Sequence, residues 1–399
     1  MPLIIKDKII DHISGPVSFS LLKPKVNIKL PSILLFGDVH LSTKGMCNCK
    51  QDGCYNIYDK SFLQILDESF MNIDFYIEAW FLEYQRVQAT NEEQILKYIK
   101  IAEDKKFPIF MLREKIMLCY VKELRGSELW KKYSPTQNMK YHYVDTRCSC
   151  SYYIESLLHN IELTPHPTEH DSLSLSNLYS YNNLHPKIIE NCIIRLKKKY
   201  GSYYFKILDF QYLLTFDLQK AIDLFFELAT PENSLIIKQY NKLPKSLRDI
   251  DMWKDVFVKY YKYIFDTESN LTSEVLEARK LFYKTLLNDN LDEIIKMTKN
   301  DELCKLLLQT SQSVLSSMYL DIYYLFRMLK KIEEKDSSKI NICYFGDYHV
   351  ENIKYLLTTI LEFYTVINEI NAQGDIDERT DSFNRCLKMP NINLTDFID

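Results

Sequence analysis

One phrase occurs twice in this chain, far apart, and it constrains the fold more than any other feature. Residues 33–40 read Ile-Leu-Leu-Phe-Gly-Asp-Val-His, and residues 342–349 read Ile-Cys-Tyr-Phe-Gly-Asp-Tyr-His. Each is an apolar run that breaks at Phe-Gly-Asp-x-His. Runs of this length, bounded by Gly and Asp, have the pattern of strands buried on both faces of an α/β sheet. Glycine permits a sharp turn at the strand end, and open sheets place their ligands just beyond such ends. Two equivalent ends in one sheet are expected to bring Asp38, His40, Asp347 and His349 into one site with O and N ligands.

The surrounding pattern supports an α/β class with a mostly parallel central sheet flanked by helices. After the strand at 32–37 comes a polar, Cys-containing loop at 41–57. Helical spacing over 58–70 sets Phe62, Leu63, Ile65, Leu66 and Phe70 on one side. A second strand, Ile73–Glu78, ends in a carboxylate. Further segments read as helix near 91–104, strand at 107–111, helix at 113–132 and strand at 139–144, the last closing on Asp145-Thr146-Arg147. Strands alternating with helices indicate βαβ units.

The organisation expected is an N-terminal half of the α/β domain at 1–161 and a Ser-, Thr-, Pro-, His- and Asn-rich loop at 162–185. A large helical insert or cap follows at 186–335. The C-terminal half of the α/β domain lies at 336–371, with a helix after His349 running to about Asn371, and a polar tail occupies 372–399. Within the insert, helical spacing covers 186–199, 218–228, 234–241, 251–265, 272–298 and 301–334. The chain has 399 residues, 46% hydrophobic and 26% charged, which is ample for such a core. Its eight glycines fall well below the average usage of about 7%. Together with frequent Tyr, Lys and Asn, this has the character of an AT-rich genome.

Several function classes lose support. A net charge of −4 gives no electrostatic reason to expect nucleic-acid or anionic-membrane binding, and the aromatics fall at core spacing without interleaved basic residues. No stretch approaches 18 uncharged apolar residues, so no membrane span is expected. The first residues carry charges through any candidate apolar region of a signal peptide. A cytoplasmic location is therefore expected, and the ten cysteines are expected to be mainly thiols or metal ligands. P-loop, dinucleotide-binding, zincin and esterase-elbow motifs are missing.

Each candidate residue has a functional and a plain reading. His40 and His349 can ligate a metal or act as acid or base, or they can satisfy loop carbonyls while Asp38 and Asp347 cap the following segments. Glu78 can be a ligand, a base or the partner of a ligand histidine, or a solvated loop residue. Arg147 can hold an anionic group or a developing oxyanion, or make an ordinary salt bridge. Cys47, Cys49 and Cys54 lie in one loop, and Cys148 and Cys150 follow Arg147. Three alternatives stand for these five: a structural zinc site, free thiols or a disulfide. Cys119, Cys192, Cys304, Cys343 and Cys386 read as packing residues.

Two families share these motifs. Leu35-Phe36-Gly37-Asp38-Val39-His40 resembles the opening motif of the calcineurin-like metallophosphoesterases. The TIKI/TraB and erythromycin-esterase-like superfamily is similar over more positions. Its pattern is an early strand ending in Gly-x-x-His, a second strand ending in Glu, a middle Arg and a late Gly-x-x-His before a helix. These fall on Gly37 and His40, Glu78, Arg147, and Gly346 and His349. The resemblance implies a metal-dependent hydrolase of peptidase or esterase type. In it a divalent ion is held by His40, His349 and Glu78, Asp38 or Asp347 orients the histidines or serves as base, and Arg147 faces the oxyanion. Cys54–Asp59 and Ile73–Glu78 also resemble segments in proteins of large DNA viruses, which implies the host cytoplasm or a virion as the location. The alternative from another class is a catalytically inactive binding or virion-associated protein. Substrate, metal identity and oligomeric state are not specified by these motifs.

Overall fold

The structure, a computed structural model, describes residues 3–5, 8–26, 28–39, 47, 52–69, 72–80, 128, 139–145, 193–194, 197–198, 201–214, 216–227, 231–267, 272–298, 313–330, 340–371 and 385–394. The expected elements at 91–104, 107–111 and 113–132 lie outside these residues, apart from one helical position at 128. The chain divides into two compact units, one formed by 1–146 with 323–399 and the other by 147–322.

The first unit is built on a mixed six-stranded sheet. Its strands are β4 (Ser18–Pro24), β5 (Ser32–Asp38), β7 (Ile73–Trp80), β8 (Lys140–Asp145), β9 (Ile340–Gly346) and β10 (Tyr364–Asn371), in the order β10-β4-β5-β9-β7-β8. The strands β5, β9, β7 and β8 run parallel, while β4 and β10 are antiparallel to their neighbours. Every residue of β5 and β9 is buried, as a central strand with both faces covered requires. One face packs Leu34, Phe36, Phe75, Ile77, Ile342 and Tyr344 against Phe62, Leu63 and Leu66 of the Lys60–Ser69 helix. Burying side chains of this size stabilises by about 1.5–3 kcal/mol each before chain entropy is counted. On the other face Tyr324 sits edge-on to Tyr76 at 5.0 Å and to Phe345 at 5.4 Å, and the Cys343 thiol donates to its hydroxyl at 3.2 Å. Among the described residues the unit also holds two smaller sheets: β1 (Leu3–Ile5) with β2 (Lys8–Ile10), and β11 (Cys386–Lys388) with β3 (His12–Ser14) and β6 (Cys54–Asn56). Residues 3–24 thus supply four strands.

One element differs in kind from the expectation. The Asp347–Tyr355 helix does not run to Asn371. It widens over Leu356–Ile360, where the Leu361 amide reaches back five residues to the Leu356 carbonyl at 2.9 Å, and Glu362 then takes a φ of 54°. Beyond it the β-branched run Thr365-Val366-Ile367 enters β10 and pairs with β4. This is an edge strand: Val366 and Ile367 are 42% and 41% exposed.

The described elements of the second unit are helices: Tyr204–Leu214, Leu218–Glu227, Pro231–Tyr240, Ile250–Thr267, Ser273–Leu287, Leu291–Thr298 and the first part of Ser313–Leu329. Its core is aromatic, with Phe226 stacked on Phe257 at 5.6 Å and the Trp253 indole donating to the Leu247 carbonyl at 2.7 Å. The segment expected as one helix over 272–298 is two. Asp289 adopts a φ of 53°, and the Asn290 side chain caps the second helix by accepting from the Glu293 amide at 3.2 Å. Among the described residues no helix is long and apolar enough to cross a membrane.

Candidate functional site

The carboxyl ends of β5, β9 and β7 meet at one edge of the sheet, and antiparallel β4 begins there at Ser18. The repeated phrase places its two copies side by side but out of step. Asp38 lies opposite Gly346, and Gly37 lies opposite Phe345. A slip of one residue turns equivalent side chains to opposite faces of a sheet. The two aspartates therefore enter different surroundings.

Asp347 opens the helix after β9, with Gly346 as its N-cap residue. Its carboxylate accepts from the Ser18 hydroxyl, directly over Gly37. A Cβ on Gly37 would overlap both Asp347 Oδ1 and Ser18 Oγ, so this close approach requires glycine. Burial raises the Asp347 pKa, and the Asp38 and Glu369 charges add to the effect, while Ser18 and Lys354 oppose it.

Asp38 takes a different partner. It forms an ion pair with Arg385, whose side chain is fully buried, and it also accepts from the Val39 amide at 2.9 Å. The Arg385 Nε donates to the Gly15 carbonyl at 2.8 Å. Beside this pair, burial pushes the Tyr344 phenol well above its ordinary pKa, with Asp38 adding to the shift and Arg385 opposing it. The next residue along, Cys386, is disulfide-bonded to Cys47.

Glu78 and His349 make the third arrangement. One Glu78 oxygen accepts from the Gly346 amide at 2.6 Å, and the other lies 3.5 Å from His349 Nε2. Both side chains are more than nine-tenths buried. The helix N-terminus favours the carboxylate charge, and the amide fixes its orientation toward the imidazole. Two donors bound to one tetrahedral ion at about 2.1 Å each stand about 3.4 Å apart. The Glu78–His349 separation fits that requirement. The same pair can also act without an ion, as an oriented acid–base dyad.

The structure therefore joins Glu78 with His349, and gives Asp38 and Asp347 partners of their own, Arg385 and Ser18. His40, Arg147, Cys49, Cys148 and Cys150 lie outside the described residues. Among the described residues no group of three or more His, Cys, Asp or Glu is placed to hold a metal ion. The zinc and free-thiol alternatives are corrected for Cys47 and Cys54, since both are in disulfides and a disulfide sulfur is not a thiolate ligand. The reading of Cys386 as a packing residue is corrected with them. Pairing of β11 with β3 brings Cys386 to a Cα separation of 5.0 Å from Cys47, within disulfide range. Cys343 is free and buried, as a packing residue would be.

Sequence reasoning missed Ser18 and Arg385. No motif marks either: Ser18 opens a strand in a mixed N-terminal segment, and Arg385 sits in a polar tail. It also missed a buried cluster four residues back from Glu78 on β7. His142 Nε2 lies 2.5 Å from Asp74 Oδ1, and Arg327 Nη2 donates to His142 Nδ1 at 2.9 Å and Nη1 to the Tyr323 hydroxyl at 2.9 Å. Guanidinium only donates, so Nδ1 is the acceptor and the ring proton is assigned to Nε2, facing Asp74. With both ring nitrogens engaged, this histidine ties strand to helix and is not poised as a base.

No family model matches the chain, and comparison with curated proteins and with solved structures yields no match.

Proposed function

We propose that the first unit carries a metal-dependent hydrolase site at the carboxyl edge of its sheet, with Glu78 and His349 as two ligands of a divalent ion and His40 as a third. The observation that supports this reading is the buried Glu78–His349 pair at 3.5 Å with its carboxylate anchored by the Gly346 amide. A bound divalent ion would supply Lewis acidity and lower the pKa of a bound water. The chain's own residues set the stage: Gly346 orients Glu78, Glu78 fixes the imidazole, and Asp347 holds the start of the helix that carries His349. Arg147 keeps its proposed place on the oxyanion. The helical segment 186–335 is read as an insert within the α/β domain.

A metallophosphoesterase would need Asp38 as a ligand, and its engagement by Arg385 makes that reading the weaker one. The same ion pair favours the second reading, a catalytically inactive binding or virion-associated protein in which this part of the motif has become scaffold. The resemblance of Cys54–Asp59 and Ile73–Glu78 to segments of viral proteins supports a host cytoplasm or a virion as the setting. A disulfide persists poorly in a reducing cytosol, which favours the packaged setting for the oxidised form.

Protein purified without chelator tests the proposal. Wild type is expected to carry a divalent ion and to hydrolyse members of an ester and peptide panel. His349→Ala and Glu78→Gln are each expected to lose both the ion and the activity. Ion-free wild type, or unchanged ion content in both variants accompanied by clear destabilisation, would overturn it.

A further inference from the structure

Two different links join the same two segments of the first unit. The ion pair connects Asp38 at the end of β5 to Arg385. The disulfide connects Cys47, a short way beyond β5, to Cys386, the residue after Arg385. We propose that Cys47–Cys386 is a thiol–disulfide exchange site at which a dithiol reductant, small or protein-borne, releases Arg385 from Asp38.

Accessibility and dependence both point this way. Cys47 and Cys386 are each only partly buried, as the approach of a thiolate to their sulfurs requires. Cys343, the free cysteine among the described residues, is fully buried in β9 and its thiol is pushed up by burial, which leaves it unsuited to attack the bond from within. The strand that carries Arg385 into the interior is short. β11 spans Cys386–Lys388 and pairs with His12–Ser14 on one side. Around it the Gly15 amide donates to the Arg385 carbonyl at 2.9 Å and the Met389 amide to the Asp11 carbonyl at 2.8 Å. A fully buried guanidinium is tolerated only while its carboxylate stays opposite, and the disulfide keeps the two segments in register for that pairing.

The exchange balances as an ordinary two-electron transfer. A reductant thiolate attacks one sulfur of the pair, forming a mixed disulfide and expelling the other sulfur as a thiolate, which takes up a proton. The reductant's second thiol then attacks the mixed disulfide and frees the remaining cysteine. The reductant leaves as a disulfide, and the protein gains two electrons and two protons as the thiols of Cys47 and Cys386. Without the cross-link, β11 is free to leave β3 and withdraw Arg385. This holds whether or not the neighbouring edge hydrolyses anything, and its readouts are independent of activity.

Hydrogen exchange on the whole protein, oxidised and after treatment with dithiothreitol, and on a Cys386→Ser variant that leaves the separate Cys54 disulfide in place, tests the proposal. Amides at 386–389 and 12–15 are expected to exchange about tenfold faster or more after reduction and in Cys386→Ser, while those of β9 stay within about twofold. Coupling is reciprocal, so Arg385→Gln should shift the disulfide equilibrium about tenfold or more toward the thiols in a glutathione series. Asp38→Asn serves the same purpose if Arg385→Gln does not fold. Exchange at 386–389 and 12–15 that is indifferent to reduction would overturn the proposal. So would an unshifted disulfide equilibrium in the ion-pair variant, or loss of protection in β9 as well, which would make the disulfide a general staple.

Discussion

Glu78 and His349 face each other at 3.5 Å across the end of β9, and the far oxygen of Glu78 is committed to the Gly346 amide. If an ion occupies this position, removing it should cost stability by mass action, about 2.7 kcal/mol when the free ion stands at 100 times its Kd. Exhaustive chelation is then expected to lower the melting temperature of wild type and to leave His349→Ala unmoved. Calorimetry with and without chelator checks this. Equal shifts in both proteins, or none in either, would count against an ion held by this pair.

Asp347 predicts a pH effect whose sign follows from burial. Its folded pKa is raised above the ordinary aspartate value of 3.8. The folded chain therefore binds the proton more tightly than the unfolded chain, and this contribution to stability is fully present below the unfolded pKa. It is lost as pH rises through the folded value. Asp347→Asn retains an acceptor for the Ser18 hydroxyl without the charge. Its melting temperature is expected to exceed that of wild type by roughly 2–4 °C at neutral pH, the scale of about 1 kcal/mol in a unit of this size, and to converge with it in acid. A gap that widens in acid would contradict the assignment.

Gly37→Ala should be costly out of proportion to its size. The added methyl meets Asp347 Oδ1 and Ser18 Oγ, with the Asp347 Cα only 3.0 Å away. Overpacking of this kind costs about 1–3 kcal/mol. Combining it with Ser18→Gly should recover part of the loss, because the hydroxyl is one of the two obstructing groups. Denaturant midpoints of the two single variants and the double variant form the cycle, and strict additivity would refute the geometry.

The Asp38–Arg385 pair predicts asymmetric losses. Arg385→Ala or Asp38→Ala alone leaves a buried charge without its partner, at a cost of about 3–5 kcal/mol. Replacing both together, as Asp38→Leu with Arg385→Met, should be much less damaging than the sum of the single changes. Urea titration of the four proteins decides, and single variants as stable as wild type would show that the pair does not bear on stability.

How much of this was legible in the sequence varied with the range of the interaction. The strands β5, β7, β8 and β9 and the Lys60–Ser69 helix follow from local apolar patterning, because burial on one or both faces imposes a period that nearby residues record. That β5 and β9 share one sheet with their ends on one edge also followed from the repeated phrase; their direct pairing is a finding of the structure. Its register did not, since nothing in either copy says that Asp38 must lie opposite Gly346. That one-residue offset is why Asp38 and Asp347 meet different partners. Arg385 and Ser18 escaped for a related reason: each acquires meaning only from a partner hundreds of positions away. The Cys47–Cys386 bond was hidden by a compartment argument that disfavoured disulfides in general. The strand β10 was hidden by the helix leading into it, whose Leu and Ile residues continue an acceptable helical pattern up to Glu362.

The central pairing of β5 with β9 also sets an order of assembly. At a synthesis rate of about 5–20 residues per second, β5 waits roughly 15–60 s on the ribosome before its parallel neighbour is made. Throughout that interval one hydrogen-bonding edge of a strand that ends up fully buried is open, while the intervening helices, whose contacts are largely local, can already fold. Until His349 and Arg385 have both emerged, the nascent chain has strands and helices but neither the Glu78–His349 pair nor the Asp38–Arg385 pair.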